Sequence, residues 1–343
     1  MIRNANVVVI GGAGFLGSHL VEHLVEDRDC RVIVLDNLIS GHFKYIPEGV
    51  KFIWHDIRDD EHELTRILKA ERAEFVFNYA AEPYIPECFE RPAHFFDINA
   101  TAVLKVLNAC QAANIRGLLQ MSSAEIYGDI TGRISEDAPI VPHSTYGVSK
   151  VAADGLVQVR WREAQVPAIA LRQFNCVGER ETHEYVVPEI ISQLAADMIE
   201  TGVKEAGCHG FIPSNNSVRI ALGNNSVRDF LYAGDAVRSA VELLENGDFG
   251  EVYNLGSERG VHIYELAHMI AGLMGFDELE IETDKERERP WEIWHLESNN
   301  KKIHSKIDYR PAVHLEDALH KTISYFLANG KRWDIKRVTA RTA

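Results

Sequence analysis

The sequence predicts an α/β fold: a doubly wound parallel sheet, with a smaller, discontinuous α/β unit contributed mainly by the C-terminal half. Three observations predict it. Short β-branched runs alternate with longer amphipathic stretches through the first half of the chain, which is the pattern of a parallel sheet covered by helices. The presumptive strands are nearly all apolar, as strands buried on both faces must be. The alternation breaks after Asn175 and resumes near 235–256, so the second unit is interrupted by a return to the first sheet.

Taken in order, Val7–Ile10, Arg31–Leu35, Lys51–Trp54, Phe75–Tyr79, Leu118–Ser122 and Ala168–Phe174 read as strands. Leu16–Asp27, Glu61–Ala70, Phe95–Ala113 and Tyr146–Ala164 read as helices between them. Beyond Asn175, Val187–Thr201 reads as a helix, Gly202–Asn216 as a Gly/Pro/Asn-rich loop and Ser217–Leu222 as a strand. Asp235–Glu245 (helix) and Glu251–Leu255 (strand) bring the chain back to the first sheet, and Ile263–Met274 and Leu315–Leu327 are further helices. The expected division is 1–175 plus about 230–258 for one domain and about 176–229 plus 259–330 for the other, with a basic, solvated tail at 331–343.

The run Val7-Val-Val-Ile-Gly11-Gly-Ala-Gly14-Phe15-Leu16-Gly17 is a strand, a glycine loop and a helix start. Glycines at this spacing let backbone approach a pyrophosphate, and the helix N-terminus offers it free N–H groups. The sheet is therefore expected to be Rossmann-like. Asp36 ends the second strand, nineteen residues past Gly17. A carboxylate there accepts hydrogen bonds from the adenosine ribose hydroxyls and repels a 2′-phosphate. No arginine follows in Asn37-Leu-Ile-Ser-Gly41, so NAD is expected rather than NADP.

Tyr146 and Lys150 lie four residues apart, on one face of a helix, with Ser123-Ala-Glu125 shortly upstream. An ammonium beside a phenol favours the phenolate. Making tyrosine a base near neutrality means lowering its pKa by roughly 3 units, about 4 kcal/mol. Ser123 can hydrogen-bond the oxygen whose proton Tyr146 takes.

The net charge of −15, from 36 basic and 51 acidic residues, argues against a general nucleic-acid binder, which needs basic surface. No apolar run reaches membrane-spanning length, and Met1–Asn4 leads straight into the first strand without a signal-peptide pattern. The cysteines are scattered with no C-x-x-C. Cytoplasmic location, free thiols and no metal site are expected.

Together these residues resemble the extended short-chain dehydrogenase/reductase family, specifically its NAD-dependent nucleotide-sugar epimerases and dehydratases, over roughly residues 6–330. The matching pieces are the glycine loop, Leu35-Asp-Asn37, Asp56-Ile57, Asn78-Tyr-Ala80-Ala81-Glu82, Ser122-Ser-Ala-Glu-Ile-Tyr-Gly128, Tyr146-Gly-Val-Ser-Lys150, Arg172-Gln-Phe-Asn-Cys-Val-Gly178, Arg228-Asp-Phe230 and Tyr253-Asn-Leu-Gly256. The resemblance implies that Gly11, Gly14, Phe15, Leu16, Gly17, Asp36, Asn37, Asp56, Ile57, Ala80, Ala81, Asn99 and Ser122 surround NAD, with Tyr146 and Lys150. It implies that Asp56 and Ile57 contact the adenine. Glu82, Asn175, Arg228 and Arg289 join Ser123, Glu125 and Tyr146 at the substrate, a nucleoside-diphosphate sugar; Arg287 competes with Arg289 for its role. A homodimer through the helices near Phe95–Ala113 and Tyr146–Ala164 is also implied. The chain departs from the family at Asn78, Cys176, Glu179, Trp291 and Thr201–Asn216, positions that bear on sugar and nucleotide specificity.

The resemblance implies oxidation of the sugar at C4, with Tyr146 as base. The 4-keto sugar then has three fates: 4,6-dehydration, 4-epimerisation or, from a uronic acid, decarboxylation. Glu125 discriminates among them. It lies two residues past Ser123, on the same face of an extended segment. Simple epimerases need no second base, whereas dehydratases and decarboxylases carry Glu in similar triplets. Ala124 stands where dehydratases of thymidine-linked sugars have an acidic Asp. The 4,6-dehydratase is the leading expectation, ahead of the 4-epimerase and the decarboxylase. A dehydrogenase for an apolar alcohol would not need Asn175, Arg228 and Arg289, and a non-catalytic NAD sensor would not need Ser123, Tyr146 and Lys150.

Overall fold

The computed structural model describes residues 1–182, 184–200, 217–287 and 291–329. Arg289, the Thr201–Asn216 segment and the tail at 331–343 lie outside the described residues.

The strands are β1 (Asn6–Ile10), β2 (Arg31–Asp36), β3 (Lys51–Trp54), β4 (Phe75–Asn78), β5 (Gly117–Ser123), β6 (Arg133–Ile134), β7 (Ala168–Gln173), β8 (Asn175–Val177), β9 (Ser217–Leu222), β10 (Val227–Tyr232), β11 (Val252–Leu255), β12 (Gly260–His262), β13 (Glu278–Thr283) and β14 (Glu297–Ser298). The helices are α1 (Phe15–Glu26), α2 (Glu61–Ala70), α3 (Ile85–Cys88), α4 (Pro92–Phe96), α5 (Ala102–Ala113), α6 (Thr145–Ala164), α7 (Val186–Glu200), α8 (Ala233–Asn246), α9 (Ile263–Leu273), α10 (Lys301–His304) and α11 (Leu315–Asn329).

Seven parallel strands form the central sheet in the order β11-β7-β5-β4-β1-β2-β3. Strand order reverses beside β1, between β2 and β4, which is the switch point where α/β sheets bind ligands. One apolar cluster, with Val7, Val9, Leu20 and Leu24 among its members, packs α1 and α8 on one face of the sheet. A second, including Val8, Ile10, Val106, Leu107 and Val157, packs α2, α5 and α6 on the other. The alternation of Val7 and Val9 against Val8 and Ile10 is the period-2 pleat filling both cores.

After Phe174, whose N–H still bonds Leu255 O at 2.9 Å, the chain leaves the central sheet. β8 joins a three-stranded sheet, β12-β10-β8. A third apolar cluster lies under α7, α9 and α11, with Ile190, Leu194, Phe230, Leu266 and Leu319 in it. The chain then returns as β11, paired in parallel with β7.

Two local expectations need correction. The segment Phe95–Ala113 is not one α-helix: α4 runs through a π-helical turn, Asp97–Thr101, into α5. The π turn carries the extra residue that swings Asn99 inward, where it is 1% exposed. Nor do Ser123 and Glu125 share an extended segment. β5 ends at Ser123, which caps a 3₁₀ turn, Ala124–Ile126, through its hydroxyl and the Glu125 N–H (3.2 Å).

Candidate active site

The glycine loop sits at the switch point. Gly11 has φ +76°, and a Cβ on it would lie 2.5 Å from Ala80 N. The loop therefore lies directly against Tyr79 and Ala80 at the exit of β4, and no side chain fits between. Gly14 caps α1 without a side-chain bond, and the first turn, Phe15-Leu16-Gly17, holds no acidic residue. Its N–H groups and the positive end of the helix dipole thus face the loop uncompensated by a side chain. Asp36 accepts from Ala13 N (3.0 Å) and Leu38 N (2.8 Å). Burial raises its carboxyl above the usual range, against the pull of these N–H groups. This cradle and the acid at its rim fit a dinucleotide.

Next to it, Asp56 is held well below the usual carboxylate range, chiefly by Arg58, whose Nε and Nη2 bind it at 2.9 and 2.7 Å. Asn37 Nδ2 and Arg58 N donate to it as well. A carboxylate offers about four acceptor sites, so the Asp56 side chain is saturated and ties Asn37 to the Ile57 turn. Asn99 exchanges two hydrogen bonds with the Glu82 backbone (3.0 and 2.9 Å). These fix the segment after β4 over the π turn.

The side chains expected to react converge between β5 and α6. Ser144 caps α6 by accepting from Gly147 N (3.0 Å). A Cβ on Gly147 would lie 3.0 Å from Glu125 O and 2.8 Å from Pro142 Cβ. Glycine here lets the 3₁₀ turn rest on the first turn of α6, bringing Glu125 beside Tyr146. Tyr146 is 6% exposed and packs with Ile85, Cys88 and Phe95. Ser123 lies close enough to act on its hydroxyl. Burial pushes its phenol well above the ordinary value; Ser123 works against this, while Glu125 and Cys88 add to it. Lys150, 2% exposed, has its Nζ 5.8 Å from the Tyr146 ring centroid and bonds Met121 O at 3.2 Å. Burial brings its ammonium down to about 8. The expected phenolate is therefore not a property of the pair alone, because desolvation of two buried groups outweighs their mutual attraction.

Sequence reasoning missed a second tier behind this pair. Asp154, four residues past Lys150 on the same helix face, is 3% exposed and binds Arg172 Nε through Oδ2 at 2.7 Å. Arg172 Nη1 donates to Tyr127 OH (2.7 Å), and Tyr127 donates to Asn254 Oδ1 (2.6 Å). The i+4 spacing from Lys150 was a visible signal for Asp154; nothing in the sequence marked its bond to Arg172. Tyr185 was also missed. It stands edge-on to Tyr84 (6.4 Å) and near enough to Tyr146 and Glu82 to feel their charge.

Asn175 opens β8, opposite Phe230, where the chain crosses from the central to the three-stranded sheet. Arg228 lies on the paired strand β10. Its Nη2 binds Glu292 Oε1 at 2.9 Å, with both side chains 8% exposed. Adjacent Asp229 accepts from Ser257 and Ser298, stitching the end of β11 to β14. Arg287 is paired with Glu189 and Asp284. Away from these residues, a cleft of about 540 Å³ runs along the outer face of α1 past His19, Glu22, Tyr45 and Arg180. Glu22 clamps the Arg180 guanidinium at 2.7 and 2.6 Å there.

Fold and site define a dinucleotide-binding α/β protein with a Ser-Tyr-Lys constellation at the switch point. Residues 7–256 match the model of the NAD dependent epimerase/dehydratase family, and the chain belongs to that family. It is 29% identical over 339 residues to dTDP-D-glucose 4,6-dehydratase of Mus musculus, covering 95% of this chain and 90% of that one. Among solved structures it is similar to UDP-glucose 4-epimerase of Thermus thermophilus in complex with NAD (26% identity, TM-score 0.80, 94% and 99% of the two chains). It is similar also to the UDP-glucose 4-epimerase of Thermotoga maritima with UDP-glucose (27% identity, TM-score 0.82, 94% and 99%). No helix among the described residues is long and apolar enough to cross a membrane.

Proposed function

We propose that this member of the family is a nucleotide-sugar 4,6-dehydratase, giving a 4-keto-6-deoxy sugar nucleotide. The observation that carries the reading is Glu125, held beside Tyr146 closely enough to raise its phenol. A carboxylate next to the base at C4 is what removal of the C5 proton requires.

Bound in the cradle of Gly11, Gly14 and Asp36, NAD supplies the acceptor of the C4 hydride and its later donor to C6. Lys150 keeps positive charge against Tyr146, and Tyr146 accepts the proton of the C4 hydroxyl. Ser123 hydrogen-bonds that oxygen throughout. Glu125 removes the C5 proton, made acidic by the new ketone, and as the acid so formed delivers it to the departing C6 hydroxyl, which leaves as water; C5 regains a proton from solvent through Glu125, and the proton taken by Tyr146 passes to solvent. Ala124 cannot serve as acid; it is 2% exposed, in an apolar cluster with Ile126, Phe174 and Leu296. This last observation favours the 4-epimerase as second reading, because turning over the ketone needs no acid at C6. Product mass after incubation with sugar nucleotides separates the two. Loss of water supports dehydration; conversion at unchanged mass overturns it in favour of epimerisation.

In this reading Asn175 and Arg228 bind the diphosphate, with Glu82 and Tyr185 near the sugar. Arg228 must exchange its Glu292 contact for phosphate oxygens, which a guanidinium can grip bidentately. Arg228→Ala is expected to weaken sugar-nucleotide binding roughly 10- to 100-fold, the worth of about 1.5–3 kcal/mol in charged hydrogen bonds, and to spare NAD binding. Calorimetric titration with each ligand checks this, and an unchanged sugar-nucleotide affinity counts against the substrate class.

The homodimer belongs to the same reading. α5 and α6 pack side by side and leave Leu104, Val148 and Val159 36%, 45% and 40% exposed. Apolar residues grouped on adjoining helices suit an isologous interface. Light scattering should give twice the chain mass, and Val148→Glu should return it to the monomer.

A further inference from the structure

We propose that Asp154 is a positioning residue for the Tyr146–Lys150 pair: anchored on its far side by Arg172 and Tyr127, it keeps the Lys150 ammonium charged beside Tyr146. The inference rests on the reading of Tyr146 as the base.

Geometry carries it. Tyr146, Lys150 and Asp154 are spaced i, i+4, i+8 along α6, so Lys150 lies between a phenol and a carboxylate on one helix face. All three are nearly inaccessible, at 6%, 2% and 3% exposure. A lysine so buried sheds its proton readily, because water no longer solvates the charge. The other groups facing it give little help. Met121 offers a carbonyl from β5. Tyr146 is neutral unless its proton leaves. Glu125 on the 3₁₀ turn and Cys88 on α3 act on Tyr146. Arg172 on β7 is itself a cation. Asp154 is the group whose charge supports the ammonium.

Asp154 would not stay ionised alone at that depth. Burial pushes its carboxyl up, and Arg172, Ser122 and Lys150 pull it back. The 2.7 Å bond to Arg172 Nε makes the carboxylate the form to expect. Arg172 is held in turn by Tyr127 OH and Glu136 O, and Tyr127 by Asn254 on β11. The chain of bonds thus runs from the edge strand of the central sheet to Asp154, one helical turn from Lys150. An isolated Arg–Asp pair would cost desolvation without return. One helical turn from Lys150, the same carboxylate also acts on a second cation through space.

The test follows the ¹⁵Nζ signal of Lys150 with pH in lysine-labelled protein, assigned by its absence in Lys150→Met. Without substrate, the midpoint should lie near 8. Asp154→Asn should lower it by about one unit or more, and Asp154→Glu should restore it. Asp154→Asn leaves Arg172 unpaired and risks misfolding. The neutral double variant Asp154→Asn/Arg172→Gln covers that case and should show the same lowered midpoint. Turnover above the midpoint should fall about tenfold, the rise of its pH profile moving down with the midpoint, while NAD still binds. A midpoint that stays put in a folded variant overturns the proposal and leaves the proposed reaction untouched. A shifted midpoint in a protein that converts no sugar nucleotide supports it and removes the proposed reaction instead.

Discussion

Tyr146→Phe should cut turnover roughly 10²–10⁴-fold, the usual worth of a positioned acid–base group, and leave NAD binding intact. The phenyl ring keeps the contacts with Ile85, Cys88 and Phe95. Only the hydroxyl is lost, a cost to stability of about 1 kcal/mol at most. Thermal unfolding should therefore move by only a few degrees, which separates a chemical defect from a folding one. Lys150, its proton loosened to about 8 by burial, sets the sign of the pH dependence. The phenolate–ammonium pair holds one proton fewer than the fully protonated pair, so activity should rise as pH passes through about 8 and then level off. Turnover of Tyr146→Phe within tenfold of the unaltered protein would remove Tyr146 from the mechanism.

The second large effect is expected at Glu125→Gln. If Glu125 takes the C5 proton, the amide cannot, and dehydrated product should fall roughly 10²–10⁴-fold. Oxidation at C4 does not use Glu125, so enzyme-bound NADH should accumulate on adding sugar nucleotide, visible by absorbance. Slow product with no accumulated NADH would mean that Glu125 acts in the first step instead. An epimerase responds differently: turnover should stay within a few-fold, because no C5 proton is removed. Glu125 is half-buried on its turn and Gln has its shape, so stability should change by no more than about 1 kcal/mol. One substitution thus separates the two leading reactions.

Much of the site was legible before folding. The glycine loop could be read because its requirements are local: a strand, a positive φ at Gly11 and a helix whose first turn lacks acid. Tyr146 and Lys150 could be read because helical spacing alone puts them on one face. The placement of Glu125 was reached on incomplete grounds. An extended segment was expected, but the strand ends at Ser123, and it is Gly147, accommodating the turn against α6, that brings Glu125 to Tyr146. The short strands β10, β12 and β13 were not foreseen. β12 is only three residues long, and the central pairs of β10 and β13 join segments of the chain at least thirty residues apart.

By itself, then, the sequence determined the doubly wound sheet, the dinucleotide loop and the Tyr–Lys pair, since each follows from neighbours within a few turns of chain. Only the tertiary structure decided what those groups feel. Glu292 meets Arg228 across 64 residues, and Arg172 meets Asp154 across 18. Burial, which no local pattern records, raises Tyr146 and lowers Lys150. Charge states depend on distance and solvent access in three dimensions, so the chemistry of the pair was set by residues that the linear order keeps apart.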